Sequence, residues 1–528
     1  MTDLPNGASS SPESVPGGSL PSYAGLVPAP FQASRRDGIF ALVAFVLGYF
    51  FCRWVLVSTQ GWGTAVFTVA FLATVTTYLF AKGARMSGEA WFWFGVTLLV
   101  GLSFAVWDDV GLLPLKNMFL FCAAVYWVMA ATQTQMAGRT NNFLLLDALS
   151  VVFIVPFSNF INQYRSLGAL SRGREPKKRM GQSIALGIVL SAVVILFVTP
   201  QLLTADSGGF SHLLRRFIGL FRFDFSKLVE FLLYAFLAIP TAAYLFGLVS
   251  GCAARRHTSS FSPEKTGESV KACRVVAPVT IFIVLGAAVL LYGVFIACQV
   301  PYFFSAFSGA RPEGWLSYSD YARRGFFELC RLAFVNLLLL TAANVTSRTP
   351  RRESLPLKIF NILLALITLL LIATAWSKMA LYISAYGLTM LRILPCVFMA
   401  LLAMICIGIL VLQKWQFSIV RLALIAGAVL FTALCILNVD GYITRYNTNR
   451  YLAGTLPQYS DAVLYRAGAA GVPDAARVYE TTEDPVLRGA LQNYLQEQKS
   501  RTDMTEGTFW ETYQDKIARE RLRTLYLG

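Results

Sequence analysis

Charged side chains recur at helical spacing where a polar stretch leads into an apolar run. In "EGWLSYSDYARRGFFELCRLAFVN" (313–336), Asp320, Arg324, Glu328 and Arg331 are spaced by four, four and three residues. On a helix they share one face, where neighbours of opposite charge stabilise each other. A charge at the centre of a bilayer costs about 2.5–3.5 kcal/mol, so Glu328 and Arg331 should pair or face a wet interior. The stripe predicts either a site for an anionic or zwitterionic group or a clamp between two helices.

Two further boundary segments combine cations with tyrosines or amides. Their polar residues are Lys378, Tyr382, Tyr386 and Arg392 in "SKMALYISAYGLTMLR", and Asp440, Arg445, Asn447 and Arg450 in "NVDGYITRYNTNRY". These side chains predict a ligand site on the outer face if the three segments meet there. Alternatively, the long cations snorkel to the surface and the segments form an interfacial collar.

Asp108 and Asp109 in "VWDDVG" are the only paired carboxylates in a predicted outer loop. Such a pair could hold a divalent cation or act as a general base, or it could consist of ordinary solvated acids. The chain has two histidines and shows no phosphate-binding loop, no HExxH, no GxSxG and no metal-spaced cysteines. The sequence therefore predicts no metal and no cofactor, and it favours a non-enzyme over an enzyme.

The composition of the chain indicates that these residues belong to a membrane protein. Of the 528 residues 56% are hydrophobic and 14% are charged, whereas an ordinary soluble domain has about 25% charged residues. The net charge of +16 is spread over helix ends and loops rather than gathered in one patch. This distribution is typical of the positive-inside pattern, so we expect the lipid bilayer as partner and no nucleic acid.

Apolar runs predict about eleven spans, because a bilayer core of about 30 Å needs about 20 residues per helix. The predicted starts lie near residues 38, 61, 89, 115, 182, 229, 274, 326, 356, 391 and 417. The stretch 143–164 would be a twelfth span, but crossing there would put six basic residues outside, so we interpret it as re-entrant or interfacial. Basic flanks place the N-terminus in the cytoplasm and the C-terminus outside.

The predicted fold class is thus an all-α, polytopic transmembrane bundle with a small helical soluble domain at the C-terminus. Residues 1–37 are rich in Ser, Pro and Gly and are expected to be disordered. The transmembrane domain covers 38–439 and the helical tail 440–528. An amphipathic interfacial helix is expected over 210–222.

A basic excess over 165–179 is either a topology anchor or a binding site for anionic lipid headgroups. Its members are Arg165, Arg172, Arg174, Lys177, Lys178 and Arg179.

Three motifs, "SYSDYARRGFFEL" (317–329), "LYISAYGLTMLR" (381–392) and "RYNTNRY" (445–451), occur in this order. They closely resemble the bacterial integral membrane family catalogued as domain of unknown function 4173, over roughly residues 270–465. The resemblance implies a multi-pass protein of the bacterial cytoplasmic membrane and carries no activity with it. Asp320 stands where many members have Glu.

Three classes of function remain at this stage. The leading hypothesis is a membrane protein that binds or transports a small or lipid-linked ligand at the outer-face polar cluster. The second is a membrane enzyme acting on lipid-linked envelope precursors, with Asp108 or Asp109 as base. The third is a non-catalytic scaffold or sensor.

Overall fold

Helices account for nearly all regular structure in the described part of the chain. The computed structural model describes residues 31–57, 61–136, 138–170, 225–256, 271–308 and 318–526, with isolated positions between 187 and 268. Within these residues there is no β-strand, and one isolated bridge joins Val276 to Ser347. The predicted all-α class is confirmed.

The helices before the gap at 171–224 form the first half of the bundle. They are α1 (Arg35–Phe51), α2 (Trp62–Ala81), α3 (Gly88–Val106), α4 (Leu113–Thr132), α5 (Leu144–Leu149), α6 (Val155–Ser158) and α7 (Asn162–Leu170). Two π-helical turns interrupt this set, Cys52–Val57 after α1 and Ser150–Ile154 between α5 and α6.

The remaining helices complete the bundle and form the C-terminal domain. They are α8 (Phe225–Ala253), α9 (Pro278–Ser308), α10 (Tyr318–Thr346), α11 (Leu355–Tyr386), α12 (Met390–Leu412), α13 (Ile419–Ile436), α14 (Val439–Leu452), α15 (Asp461–Ala467), α16 (Val472–Thr481), α17 (Pro485–Thr505) and α18 (Tyr513–Arg523).

Ten of the eleven predicted spans are confirmed as helices long and apolar enough to cross a membrane. They lie in α1 to α4 and in α8 to α13. The span predicted from residue 182 and the amphipathic helix over 210–222 lie outside the described residues. The described residues thus form a polytopic helical bundle.

The 143–164 stretch, predicted not to cross, is a bent pair of segments. Leu144–Ser158 and Asn162–Leu170 meet at 47° across a short break, the geometry of a broken span or of a re-entrant loop. Asn159 sits at the break and its side-chain amide bonds the carbonyl of Val155 at 2.9 Å. The same carbonyl also accepts the backbone N–H of Asn159 at 3.2 Å, so the amide adds a second hydrogen bond to the last turn before the bend.

Close helix approach depends on small residues. A Cβ added at Gly48 on α1 would lie 2.9 Å from the carbonyl oxygen of Ala238 on α8. Without a hydrophobic driving force between helices in lipid, such backbone proximity supplies the packing energy.

Basic groups gather at the end of the bundle where α1 and α3 begin and α2 ends. There Lys82 pairs with Asp37 at 2.7 Å, Arg36 donates to the carbonyl of Ala81, and Arg421 lies 3.6 Å from Glu89. By the positive-inside rule this end favours the cytoplasm.

The C-terminal domain has its own apolar core at the other end of the bundle. Helices α15 to α18 and the 3₁₀ turn Gly468–Gly471 enclose it, and Leu491, Tyr494 and Ala518 are fully buried there. The Tyr494 hydroxyl donates to the carbonyl of Gly468 at 2.6 Å, which satisfies the polar tip of the largest core side chain.

Candidate functional site

The predicted carboxylate pair lies in the short loop between α3 and α4, and both side chains are buried. Asp108 is 1% exposed and Asp109 4%. Asp109 Oδ2 lies 2.5 Å from Nζ of Lys116, which is itself 1% exposed. Lys116 stands in the first turn of α4 and its side chain reaches back over the helix start, the direction that helical side chains take. The pair is therefore a buried ion pair.

Asp108 is held by the C-terminal domain. Its Oδ2 lies 2.5 Å from Nη2 of Arg501 on α17 and accepts a hydrogen bond from the backbone N–H of Ala469 at 3.2 Å. The backbone N–H of Asp108 donates to Oε1 of Gln514 at 3.0 Å. Arg501 also binds Asp515 at 3.1 Å, and Asp515 closes the capping box that starts α18. The loop acids thus dock the domain on the bundle.

Asp440 enters the same cluster from the first turn of α14. It is 4% exposed and its Oδ2 has no hydrogen-bond partner. Burial, together with the nearby Asp109 and Asp108, raises the pKa of Asp440 to about 7, although Lys116 acts in the opposite sense. We call Asp108, Asp109, Lys116, Asp440, Arg501 and Asp515 the domain junction.

Burial also raises the pKa of Asp109 and of Asp515. For Asp109 desolvation outweighs the favourable charge of Lys116, and for Asp515 the charge of Asp108 adds to desolvation. Among the described residues, no group of three or more His, Cys, Asp or Glu side chains has an arrangement that could hold a metal ion.

Further contacts place the domain on three loops at one end of the bundle. The backbone N–H of Gly63 donates to the carbonyl of Phe509 at 2.9 Å, and the Phe509 ring packs on Trp54 with centroids 5.1 Å apart. Asn447 on α14 exchanges two hydrogen bonds, 2.7 and 2.8 Å long, with the backbone of Leu388. The domain and α14 together therefore contact the α1–α2, α3–α4 and α11–α12 loops, which the sequence places outside.

The predicted stripe on α10 is built differently. We call Asp320, Arg324, Glu328 and Arg331 the α10 stripe. Arg324, Glu328 and Arg331 are exposed, and the side chain of Asp320 lies outside the described residues.

Lys378 on α11 does meet this helix. A Cβ added at Gly325 would lie 2.7 Å from its Nζ, and the charge of Glu328 acts on it. The structure therefore brings Lys378 close to the stripe.

Arg392 caps the C-terminal end of α11. Its guanidinium donates to the carbonyl of Tyr386 at 2.9 Å and to that of Gly387, and it lies 4.2 Å from the ring centroid of Tyr382. Rings of Tyr382 and Tyr386 are 5.4 Å apart. These three side chains form one cluster whose cation satisfies carbonyls that a helix end leaves open.

The third predicted segment contributes mainly to docking. Arg450 donates to the carbonyls of Ile383 and Thr455, at 3.3 and 2.8 Å. Arg445 is exposed. Of the basic loop, Arg165 is exposed on α7 and the other five members lie outside the described residues.

A large apolar cavity lies between α1 to α4, the segment from the second π turn to α6, and α8, and has no counterpart in the sequence predictions. Its volume is about 740 Å³. Three helix irregularities line it: the π turn after α1 through Val55, the π turn before α6 through Phe153, and Pro240 inside α8. Helix interruptions of these kinds are frequent at functional sites.

The four hydroxyl groups in the cavity wall are already bonded to backbone. The hydroxyls of Thr68, Thr97 and Thr241 donate to carbonyls one turn back on their own helices, at 2.8, 2.8 and 2.9 Å. The Tyr244 hydroxyl donates to the carbonyl of Val152 at 3.0 Å, across to the second π turn. Apart from the amide of Asn117, the wall consequently presents a hydrocarbon surface.

Fold and sites together define a polytopic, all-α integral membrane protein with a helical domain docked through buried charge. The chain belongs to the family described as "Domain of unknown function (DUF4153)", whose model matches residues 94–476. The resemblance to family 4173 is corrected accordingly: membership of an uncharacterised family is supported, but that number is not. No curated protein and no solved structure matches the chain.

Proposed function

We propose that this membrane protein binds a lipid or lipid-linked molecule whose hydrocarbon part occupies the apolar cavity. The observation that carries the proposal is the cavity itself, about 740 Å³ in volume and ringed by three interrupted helices. Ligand pockets typically measure about 300–1,000 Å³. A small polar solute would lose its hydration there and find few hydrogen-bond partners, whereas an alkyl chain has no hydrogen bonds to lose.

The position of the cavity suits an amphipathic molecule. Phe51 lies near the end of α1, Phe67 near the start of α2 and Asn117 near the start of α4, and all three line the cavity. These helix ends carry the loops on which the C-terminal domain sits. A bound molecule would accordingly have its tail in the domain-side half of the bundle and its headgroup towards the domain.

Photocrosslinking tests this proposal. The purified full chain would be labelled with a phospholipid that carries a diazirine in its acyl chain, and the modified peptides would be mapped by mass spectrometry. We expect labelling within 117–125 and competition by excess unlabelled lipid. Ala124→Phe, which adds a ring inside the cavity, should reduce that labelling several-fold.

Cys122→Phe is the matched control, because Cys122 is exposed on the same helix and does not line the cavity. It should leave the labelling unchanged. Equal labelling in all three proteins would contradict the proposal, since it would show that the probe reacts from the outer lipid-facing surface.

The second candidate is the outer-face polar cluster predicted from sequence, and the approach of Lys378 to the α10 stripe favours it. An anionic headgroup would bind there through Arg324, Arg331 and Lys378. We expect phosphatidylglycerol to raise the melting temperature more than phosphatidylcholine does, and Arg324→Gln with Arg331→Gln to abolish the difference. If the double variant keeps the wild-type difference in melting temperature between the two lipids, the headgroup does not bind at this cluster.

Burial and ion pairing of Asp108 and Asp109 favour docking over the catalytic role considered for them. A general base must come within hydrogen-bond reach of its substrate. Both carboxylates are instead occupied by Arg501 and Lys116.

A further inference from the structure

Charge in the domain junction is not balanced. Four carboxylates, Asp108, Asp109, Asp440 and Asp515, lie close to two cations, Lys116 and Arg501. Lys116 pairs with Asp109, and Arg501 is shared between Asp108 and Asp515. Asp440 therefore stands in the cluster without a cation of its own.

Burial makes this imbalance costly. Asp440 Oδ2 and Asp108 Oδ1 are both buried and have no hydrogen-bond partner. An isolated ionised carboxylate in such a place is strongly disfavoured, and in practice the group takes up a proton instead. A protonated carboxyl also gains an O–H donor.

We infer that Asp440 is a proton-binding site and that the closed domain junction holds one proton on this carboxyl. The groups that face it are Asp108 and Asp109 from the α3–α4 loop and Lys116 from α4, with Arg501 and Asp515 of the C-terminal domain beyond Asp108. The inference is independent of the proposed lipid ligand, because it rests only on the junction.

Protonation is linked to docking of the domain. When the domain leaves the bundle, Asp440 returns to water and to its ordinary pKa of 3.8, whereas in the closed junction the pKa is about 7. Between these values the docked state binds more protons, so docking is strongest in acid and weakens as the pH rises through this window. The undocked fraction should be about tenfold larger at about pH 8 than at about pH 6.

Infrared difference spectroscopy of the full chain in nanodiscs tests the proton site directly. The carbonyl stretch of a protonated carboxyl should disappear with an apparent pKa of about 7. Asp440→Asn should remove this band and Asp461→Asn, which changes an exposed acid of the same domain, should retain it. Absence of any carboxyl titrating near neutral pH in the wild-type protein would overturn the inference, whatever the variants do.

Limited proteolysis of the 453–460 segment, which connects α14 to α15, reports the docking. Cleavage of the wild type should rise about tenfold from about pH 6 to about pH 8, once the pH dependence of the protease itself is divided out with an unstructured peptide substrate, and Asp461→Asn should show the same rise. The Asp440→Asn side chain is neutral at every pH, so this variant should be cleaved equally slowly at about pH 6 and at about pH 8. A variant that retains the wild-type pH dependence would also overturn the inference.

Discussion

The domain junction and the α10 stripe are two charged regions of one molecule that are built in opposite ways. In the junction, charges from the α3–α4 loop, from α4 and from the C-terminal domain are paired at 2.5 to 3.1 Å, and all of them except Arg501 are almost fully buried. In the stripe, Arg324, Glu328 and Arg331 are exposed on one helix. The exposed α10 stripe can therefore be recognised in the sequence by its regular spacing along one helix. The residues of the buried junction show no such spacing in the sequence. Spacing shows which residues share a face and does not show what that face meets.

The largest effect should come from breaking the buried pair of the junction. Lys116→Met leaves Asp109 buried without a cation and should lower the free energy of unfolding by about 3–5 kcal/mol. Unfolding in SDS can be followed through exposure of buried thiols such as Cys406 and Cys435 to a thiol-reactive dye.

The matched control is Lys82→Met at the opposite end of the bundle. Lys82 also pairs with a buried acid, Asp37, but it is 28% exposed. Asp37 additionally retains hydrogen bonds from Tyr78 and Ser34. If Lys116→Met lowers the free energy of unfolding no more than Lys82→Met does, burial of the charged pair does not determine the size of the effect.

A smaller effect is expected at the contact of the domain with the α1–α2 loop. Gly61 has φ of 86°, and a Cβ there would lie 2.5 Å from the carbonyl oxygen of Trp510. Gly61→Ala should lower the free energy of unfolding by about 1–2 kcal/mol for the left-handed backbone alone, and by more for the collision. Gly83→Ala isolates the first part, because Gly83 has φ of 83° and open space around it. Equal melting temperatures for the two variants would show that the domain does not press on this loop.

The smallest effect is expected on the α10 stripe. Glu328→Gln and Arg331→Gln change exposed side chains and should alter the free energy of unfolding by less than about 0.5 kcal/mol each. A loss of several kcal/mol in the same SDS assay would mean that the stripe clamps helices together, which was the alternative interpretation of its sequence.

The bundle could be predicted from the sequence because a span needs only a long apolar run. Ten predicted spans are confirmed on that basis, and the break near Asn159 follows from the polar residues within its own stretch. The placement of Lys378 beside the α10 stripe could also be anticipated, since consecutive spans such as α10 and α11 pack as neighbours.

The junction could not be predicted in this way. Asp108 and Arg501 are 393 residues apart, and each resembles an ordinary surface charge in its own segment. The cavity is equally hidden, because Val55, Phe153 and Pro240 belong to three separate apolar stretches. Only tertiary packing brings their helix irregularities together.

A double-mutant cycle on Asp108→Asn and Arg501→Gln tests the central claim, which is that buried charge docks the C-terminal domain on the bundle. Each single variant should lower the free energy of unfolding by about 1–3 kcal/mol, less than at Lys116 because Arg501 is 32% exposed. The double variant should lose much less than the sum, with a coupling free energy above about 1 kcal/mol. Losses that add to within about 0.5 kcal/mol would show that the two residues do not interact and would contradict the account.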